Sequence, residues 1–503
     1  MRVAIGAGVI CVLFAISGFV IQSHSKRTHQ YISNFENVLG TSLELRVTTS
    51  SEKEVGRAEE IALAEIDRIS KILSAYDQNS EFSRWLKTKD EAIVVAPELF
   101  DVLQLFDVWR ERTQGALDAS AETVSRVWKK AGELQHIPSE TELEAAVGDV
   151  KQRHWKLDAE SRTATHLTNT PLVLNSFAKS YIINKACDAV MADSNVEAIV
   201  INIGGDIVVK GNLTEPVELT DPRASTQNDA SLEYLKIRDR AVATSGNYRR
   251  GVKIGDHWYS HIVDPRTGQP VDHIISATVV SPVATDAGAL ATAFNVLTPF
   301  EAEKLAATMP DVEYLLITKE GERIESDGWN NFRDEQKNKL TSEALTNTLW
   351  DDYELEIDLE LTRINVSWYR RPFVAVWIEN KDKQSVKNLA VWFGNIRWLS
   401  ELKYWYRTNW AKANLPGSKI GSVASATHAP GKYTFKWDGK DDDGNPVAPG
   451  MYTVLVESVR ELGPYSLLRQ EIELGGAPQQ ITISGKGENP SVNTVTFDYH
   501  KKQ

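Results

Sequence analysis

Three short stretches crowd one region of the chain: Ala243-Thr244-Ser245-Gly246-Asn247-Tyr248, His261-Ile262-Val263-Asp264-Pro265-Arg266-Thr267-Gly268 and Ala284-Thr285-Asp286-Ala287-Gly288-Ala289-Leu290-Ala291-Thr292. Small residues let the backbone come close to a phosphorylated ligand, and hydroxyls or carboxylates are oxygen ligands for Mg²⁺. Singly these pieces are weak, because Asp-Pro and Thr-Gly are also ordinary turn formers. Their order and their crowding between Ala243 and Asn295 are what point to a binding site.

Outward from that block, helical and strand periodicities alternate. Ser42 to Thr48 alternates like a strand and Glu52 to Leu73 carries apolar residues at helical spacing, with further helices expected over Pro97 to Thr113 and Ser176 to Ala192. Strand-like runs occupy Glu197 to Ile203, Ile207 to Lys210, Ala277 to Val280 and Tyr314 to Thr318, punctuated by Gly, Asn and Asp. The fold class over residues 31–330 is therefore α+β, followed by a polar, Asn- and Lys-rich linker over 331–349. From Tyr353 the pattern becomes short alternating runs between turn clusters such as Asp441 to Asn445 and Ala448 to Gly450. Seven of the fourteen tryptophans lie there (Trp368, Trp377, Trp392, Trp398, Trp405, Trp410 and Trp437), and aromatic enrichment suits a pleated, half-buried surface. Residues 350–503 are expected to form an all-β, immunoglobulin-like sandwich.

Length and composition agree with this division. A chain of 503 residues exceeds one compact domain. The 56 Lys and Arg face 69 Asp and Glu, and a formal net charge of -13 repels a phosphate backbone, so nucleic acid is excluded as a first partner. With only Cys11 and Cys187, neither a disulfide scaffold nor a cysteine-ligated zinc site can be built, which leaves oxygen or imidazole ligands for any metal. From Val3 to Ile21 the chain is almost continuously apolar, behind Arg2 and ahead of Lys26 and Arg27. Such a run just crosses a hydrocarbon core of about 30 Å. Residues 1–27 are accordingly expected to be an apolar helix, a signal peptide or an inner-membrane anchor, with the rest outside the cytoplasm of a bacterium-like cell.

Over roughly residues 35 to 325 the chain resembles the ApbE family of FAD:protein FMN transferases. The pieces that carry the resemblance are Leu39-Gly40-Thr41, Leu73-Ser74-Ala75-Tyr76 with Ser80-Glu81, Gly115-Ala116-Leu117-Asp118, Leu174-Asn175-Ser176-Phe177-Ala178-Lys179-Ser180-Tyr181, Asn202-Ile203-Gly204-Gly205-Asp206, and the Thr-Ser-Gly-Asn-Tyr and His-Ile-Val-Asp-Pro-Arg-Thr-Gly segments quoted above. The resemblance implies a Mg²⁺-dependent enzyme that splits FAD, releases AMP and attaches FMN to a Thr or Ser of an envelope redox protein. It implies that Leu39, Tyr76, Ala116, Leu117, Asp118, Asn175, Tyr181 and Ile262 line the FAD cleft, and that Gly204, Gly205 and Asp206 approach the phosphates. His261 is the candidate general base, since a neutral imidazole near its ordinary pKa accepts the proton of an attacking hydroxyl. Arg266 is either an assistant to transfer or a solvated turn residue.

The metal ligands are where the sequence departs from the family. Relatives carry an Asp four residues before the Thr of the Ala-Thr pair, so that both oxygens share one helical face. Thr292 is present, but the position four earlier is Gly288. Asp286 is roughly a third of a turn out of phase at 100° per residue, and the Ala178 carbonyl needs no particular side chain. Asn175 stands in place of a usual Asp and Ser180 in place of a usual Gly. A flavin-binding relative that no longer transfers is the alternative reading. The C-terminal region resembles an uncharacterised periplasmic domain. Its Asp441 to Asn445 segment reads as a tight turn or a calcium loop, and Trp392, Trp398, Trp405 and Tyr406 as core or as a surface for a redox partner.

Overall fold

The computed structural model describes residues 28–224, 231–247, 250–338, 353–364, 369–394, 396–413, 423–461, 463–485 and 490–501. The apolar run Val3 to Ile21, Tyr248, Trp368 and the Trp410 side chain lie outside the described residues; among the described residues no helix is long and apolar enough to cross a membrane.

An eight-stranded antiparallel sheet organises the first domain: β1 (His29–Val38), β2 (Thr41–Thr49), β3 (Ala198–Ile203), β4 (Asp206–Gly211), β5 (Arg240–Gly246), β6 (Ile274–Ser281), β7 (Glu313–Thr318) and β8 (Arg323–Glu325). Their order across the sheet is their order in the chain. Every neighbouring pair is antiparallel, so the β1–β2, β3–β4 and β5–β6 connections must emerge at one edge. The motifs carrying Leu39, Gly204 and His261 occupy those three connections.

Both faces of the sheet are buried, with alternate residues sorted between them. Ile199 and Ile201 enter the main core while Val200 faces the opposite one, under a hairpin of Glu215–Thr220 and Ser231–Ile237. Helices α1 (Glu52–Leu73), α2 (Pro97–Arg112), α3 (Glu122–Leu134), α4 (Glu140–Val150), α5 (Ala178–Asp193), α6 (Ala284–Val296) and α7 (Pro299–Ala306) follow. In α1, Val55, Ala58, Ala62, Ile66, Ile69 and Leu73 recur every three or four residues and are all buried, the apolar stripe legible in the sequence. Helices α5 and α6 lie side by side in antiparallel array, Ser180 meeting Gly288 and Ser176 meeting Thr292.

The first domain runs past its expected end at 330. Residues 331–338, read as the start of a linker, are tied down: Arg333 Nε pairs with Glu233 at 2.9 Å, Asp334 N donates to Tyr234 O at 2.8 Å, and Asn338 Nδ2 donates to the same carbonyl at 3.1 Å.

The second domain packs a four-stranded sheet (431–437, 353–361, 492–501, 479–484) against a five-stranded one (424–425, 385–392, 373–380, 450–459, 466–474). Leu355, Ile357, Val374, Val454 and Phe497 fill the space between them. The all-β expectation needs one correction, because helix α8 (Lys403–Ala413) covers the outer face of the five-stranded sheet. Leu399, Leu402 and Trp405 recur every third residue and bury against Trp377, Val391 and Leu455. The fully buried Glu457 carboxylate accepts from Tyr404 N at 2.9 Å and Trp405 N at 2.7 Å, stabilising the start of the helix. Trp405 and Trp392 are core residues, whereas Trp398 is 60% exposed. Asp441 Oδ1 accepts from Asp443 N and Asn445 N at 2.8 Å each, so the acidic segment is a tight turn closed on its own backbone.

The two domains touch at β1. Asn34 N donates to Gly394 O at 2.7 Å, and Arg371 Nε pairs with Glu36 at 2.9 Å.

Candidate active site

The site edge is assembled from turns whose conformations only certain residues tolerate. Leu39 (φ 50°) and Gly40 (φ 77°) make the β1–β2 turn, and Gly204 (φ 60°) with Gly205 (φ 100°) make the β3–β4 turn beside it. A Cβ on Gly204 would lie 3.2 Å from Thr41 Cγ2, so these two turns pack on each other.

Next to them stands the segment before α5. Asn175 Nδ2 donates to the Tyr76 hydroxyl at 2.6 Å, and Tyr76 is 78% exposed, a large aromatic face turned to solvent. These two expected flavin contacts are thus brought together from 99 residues apart. Tyr181 is not brought to them. Its ring is buried and its hydroxyl donates to Asp101 of α2 at 3.2 Å, with burial raising its pKa. Ala116 and Leu117 are almost fully buried, and their N–H groups donate to Thr113 O at 3.1 Å and Thr113 Oγ1 at 3.0 Å. Asp118 is engaged by Arg110 Nε at 2.8 Å and by Ser120 N at 2.8 Å, fixing the 115–118 loop.

His261 and Ile262 lie in the β5–β6 connection. His261 N and Nδ1 both approach the Arg250 carbonyl, at 3.2 and 3.1 Å. In the tautomer whose Nδ1–H donates there, Nε2 keeps a free lone pair. Local desolvation first, and the positive Arg250 second, hold the imidazole below its ordinary pKa of 6.5, against the pull of the Arg250 carbonyl. Ile262 is half-buried, its N donating to Ser260 Oγ at 2.9 Å and its carbonyl accepting from Val271 N at 3.0 Å. Arg266 is committed elsewhere, pairing with Asp264 and with Glu301 of α7 at 2.9 Å each; this argues against a part in transfer and for a structural tie.

Several oxygen atoms lie on the facing parts of α5, α6 and β4. Thr292 Oγ1 donates to the Ser176 carbonyl at 3.2 Å, and Ala178 opens α5 close by. One turn earlier on α6, Gly288 has no room for a side chain: a Cβ would lie 2.3 Å from Ser180 Oγ, 3.1 Å from Ser180 Cβ and 3.2 Å from Phe177 Cβ. Asp286 is not brought to Thr292; its neighbouring charge is Arg112, and burial raises its pKa against that attraction. A carboxylate does approach from β4, where Asp206 Oδ2 accepts from Ser180 Oγ at 3.0 Å. Burial pushes Asp206 up to about 6, opposed by Ser180 and by the charge of Lys179. Among the described residues, no three His, Cys, Asp or Glu side chains cluster as a metal site. The groups available here, the Thr292 hydroxyl, the Ser176 and Ala178 carbonyls and the Asp206 carboxylate tied to α5 through Ser180, are all oxygen, the donor type a hard cation takes.

The ApbE family pattern matches residues 39–316. The chain belongs to the ApbE family. A second pattern, the predicted periplasmic protein family DUF2271, matches residues 354–490. The FAD:protein FMN transferase of Haemophilus influenzae is 27% identical over 331 residues, spanning 62% of this chain and 92% of its own length. That of Vibrio cholerae is 26% identical, over 51% of this chain and 78% of its own. The crystal structure of the ApbE protein from Thermotoga maritima superposes with a TM-score of 0.54 at 26% identity, covering 61% of this chain and all of its own.

Within this ApbE domain, sequence reasoning did not single out Ser180 as the group that fills the Gly288 position, Thr41 as the neighbour of Gly204, or Arg110 as the partner of Asp118. Ser180 and Gly288 were each visible as departures, and their complementary volumes were the available signal.

Proposed function

We propose that this chain is an FAD:protein FMN transferase that moves FMN from FAD to a Thr or Ser hydroxyl of an extracytoplasmic redox protein, with Mg²⁺ required and AMP released. Family membership over residues 39–316, with relatives of that name, supports the flavin transferase reading. The carrying observation at the site is His261, anchored through Nδ1 on the Arg250 carbonyl with Nε2 available as a base.

Tyr76 and Asn175 hold the isoalloxazine side of the cleft, and the Gly204–Gly205 turn lets backbone reach the diphosphate. The acceptor hydroxyl oxygen attacks the FMN-side phosphorus and its proton passes to His261 Nε2. The bond from that phosphorus to the bridging oxygen breaks, and the oxygen leaves on AMP. A bound divalent cation supplies charge neutralisation on the diphosphate; Thr292, the Ala178 carbonyl and a carboxylate would hold it.

Purified chain mixed with FAD, Mg²⁺ and a Thr-bearing acceptor tests this: AMP release with a covalently yellow acceptor supports it, and bound FAD without transfer supports the transfer-inactive alternative, which the missing carboxylate at Gly288 favours. The DUF2271 match supports a periplasmic location, with residues 1–27 as the inner-membrane tether or signal. The second domain is read as presenting the acceptor. Unchanged modification of the native acceptor by a chain ending at Asn347 would remove that role.

A further inference from the structure

We propose that Asp206 is the side-chain carboxylate that holds the divalent cation in this chain, and that Ser180 and Gly288 are a matched pair which moves that carboxylate from helix α6 to strand β4. The inference rests on the transferase reading above and specifies its cation site.

On α6, the face that meets α5 offers Thr292 and, one turn deeper, Gly288. A carboxylate borne at 288 needs a Cβ where Ser180 stands, 2.3 Å from its oxygen and 3.1 Å from its Cβ, with Phe177 Cβ closing the remaining side at 3.2 Å. Helix α6 therefore presents one hydroxyl to this spot and no acid. Asp286 does not compensate, since it lies six residues before Thr292, out of phase, with Arg112 as its partner charge.

The Ser180 hydroxyl that occupies the space is aimed at Asp206 Oδ2, 3.0 Å away. Asp206 opens β4 directly after the Gly204–Gly205 turn, at the sheet edge shared with the β1–β2 turn and the His261 connection. Ser180 uses one lone pair of Oδ2 and orients the carboxyl, leaving Oδ1 for a cation. With Thr292 Oγ1 and the carbonyls of Ser176 and Ala178 the donors are all oxygen, and a single carboxylate leaves coordination positions for water and substrate phosphate, as Mg²⁺ prefers.

The test measures Mn²⁺ binding to the full chain by the loss of the free-ion EPR signal, with and without FAD, beside FAD binding by flavin fluorescence in the absence of any cation. Asp206→Asn is expected to weaken Mn²⁺ binding at least tenfold while the cation-free melting temperature shows the variant folded. Ser180→Gly combined with Gly288→Asp is expected to bind Mn²⁺ and to keep doing so when Asp206→Asn is added, because the acid has returned to α6. Ser180→Ala, which keeps the packing, is expected to weaken Mn²⁺ binding several-fold. Mn²⁺ binding by Asp206→Asn within twofold of the wild type overturns the proposal, as does a triple variant that loses the ion. Wild type that binds FAD but no Mn²⁺ overturns this inference alone; wild type that binds no FAD overturns the transferase reading.

Discussion

Placing a single methyl group at position 288 probes the α5–α6 contact directly. In Gly288→Ala the new Cβ meets Ser180 Oγ at 2.3 Å, Ser180 Cβ at 3.1 Å and Phe177 Cβ at 3.2 Å. The hydroxyl can swing aside only by giving up its 3.0 Å bond to Asp206, a hydrogen bond to a carboxylate worth about 1.5–3 kcal/mol. If it stays, the overpacked core costs about 1–3 kcal/mol. Against this, Ala in a helix interior gains about 1 kcal/mol over Gly. The net expectation is a loss of up to about 2 kcal/mol, which lowers the first-domain melting transition by up to about 6 °C for a domain of this size. In the Ser180→Gly background only the 3.2 Å approach to Phe177 Cβ is left, and the same Ala is expected to be neutral or stabilising. Thermal unfolding of the four proteins of this cycle gives the coupling, expected at about 2 kcal/mol. A Gly288→Ala chain that melts higher than wild type, or a cycle additive to within about 0.5 kcal/mol, would show that Ser180 does not own the space and would refute the reasoning.

Other expectations are read from single sites. Because His261 is held below its ordinary pKa of 6.5, transfer measured as kcat/KM is expected to be flat above neutrality and to fall with acid only below pH 6.5; a limb centred above pH 7 would argue against His261 as the base. Tyr76→Ala removes an exposed stacking face, so FAD affinity is expected to drop about 5- to 100-fold, as for other base–aromatic contacts, with no change in melting temperature. Burial lifts Glu36 from 4.5 to about 7 against Arg371 and Arg370, so the stability it contributes is full below pH 4.5 and is lost as pH rises through 7. Glu36→Gln is therefore expected to melt higher than wild type at pH 8 and equally at pH 4; the reverse order would mean that the Arg371 pair outweighs desolvation.

The sequence and the structure agree where periodicity is strong. The stripe from Val55 to Leu73 marks α1 to its ends because every buried position falls on one face. The ordered motifs locate the site edge because an antiparallel sheet in chain order must gather alternate connections on one side. What stayed hidden depends on contacts distant in sequence. Arg266 reads as a free turn arginine until Glu301, 35 residues on, takes its guanidinium. Tyr181 sits in a flavin-like motif, but only the fold shows its hydroxyl on Asp101. Helix α8 was unreadable because its Trp- and Tyr-rich letters suit a strand equally well, and the acid that anchors its start, Glu457, comes from another element.

The central claim is that one cleft binds FAD and that His261 takes the acceptor's proton there. Its most direct test follows wild type and His261→Ala with FAD, Mg²⁺ and a Thr-bearing acceptor, scoring bound flavin and covalent flavin separately. The account predicts that both proteins bind FAD within a fewfold of each other and that only the wild type releases AMP and yields a flavinylated acceptor. Equal transfer by the two proteins, or no FAD binding by either, would contradict it.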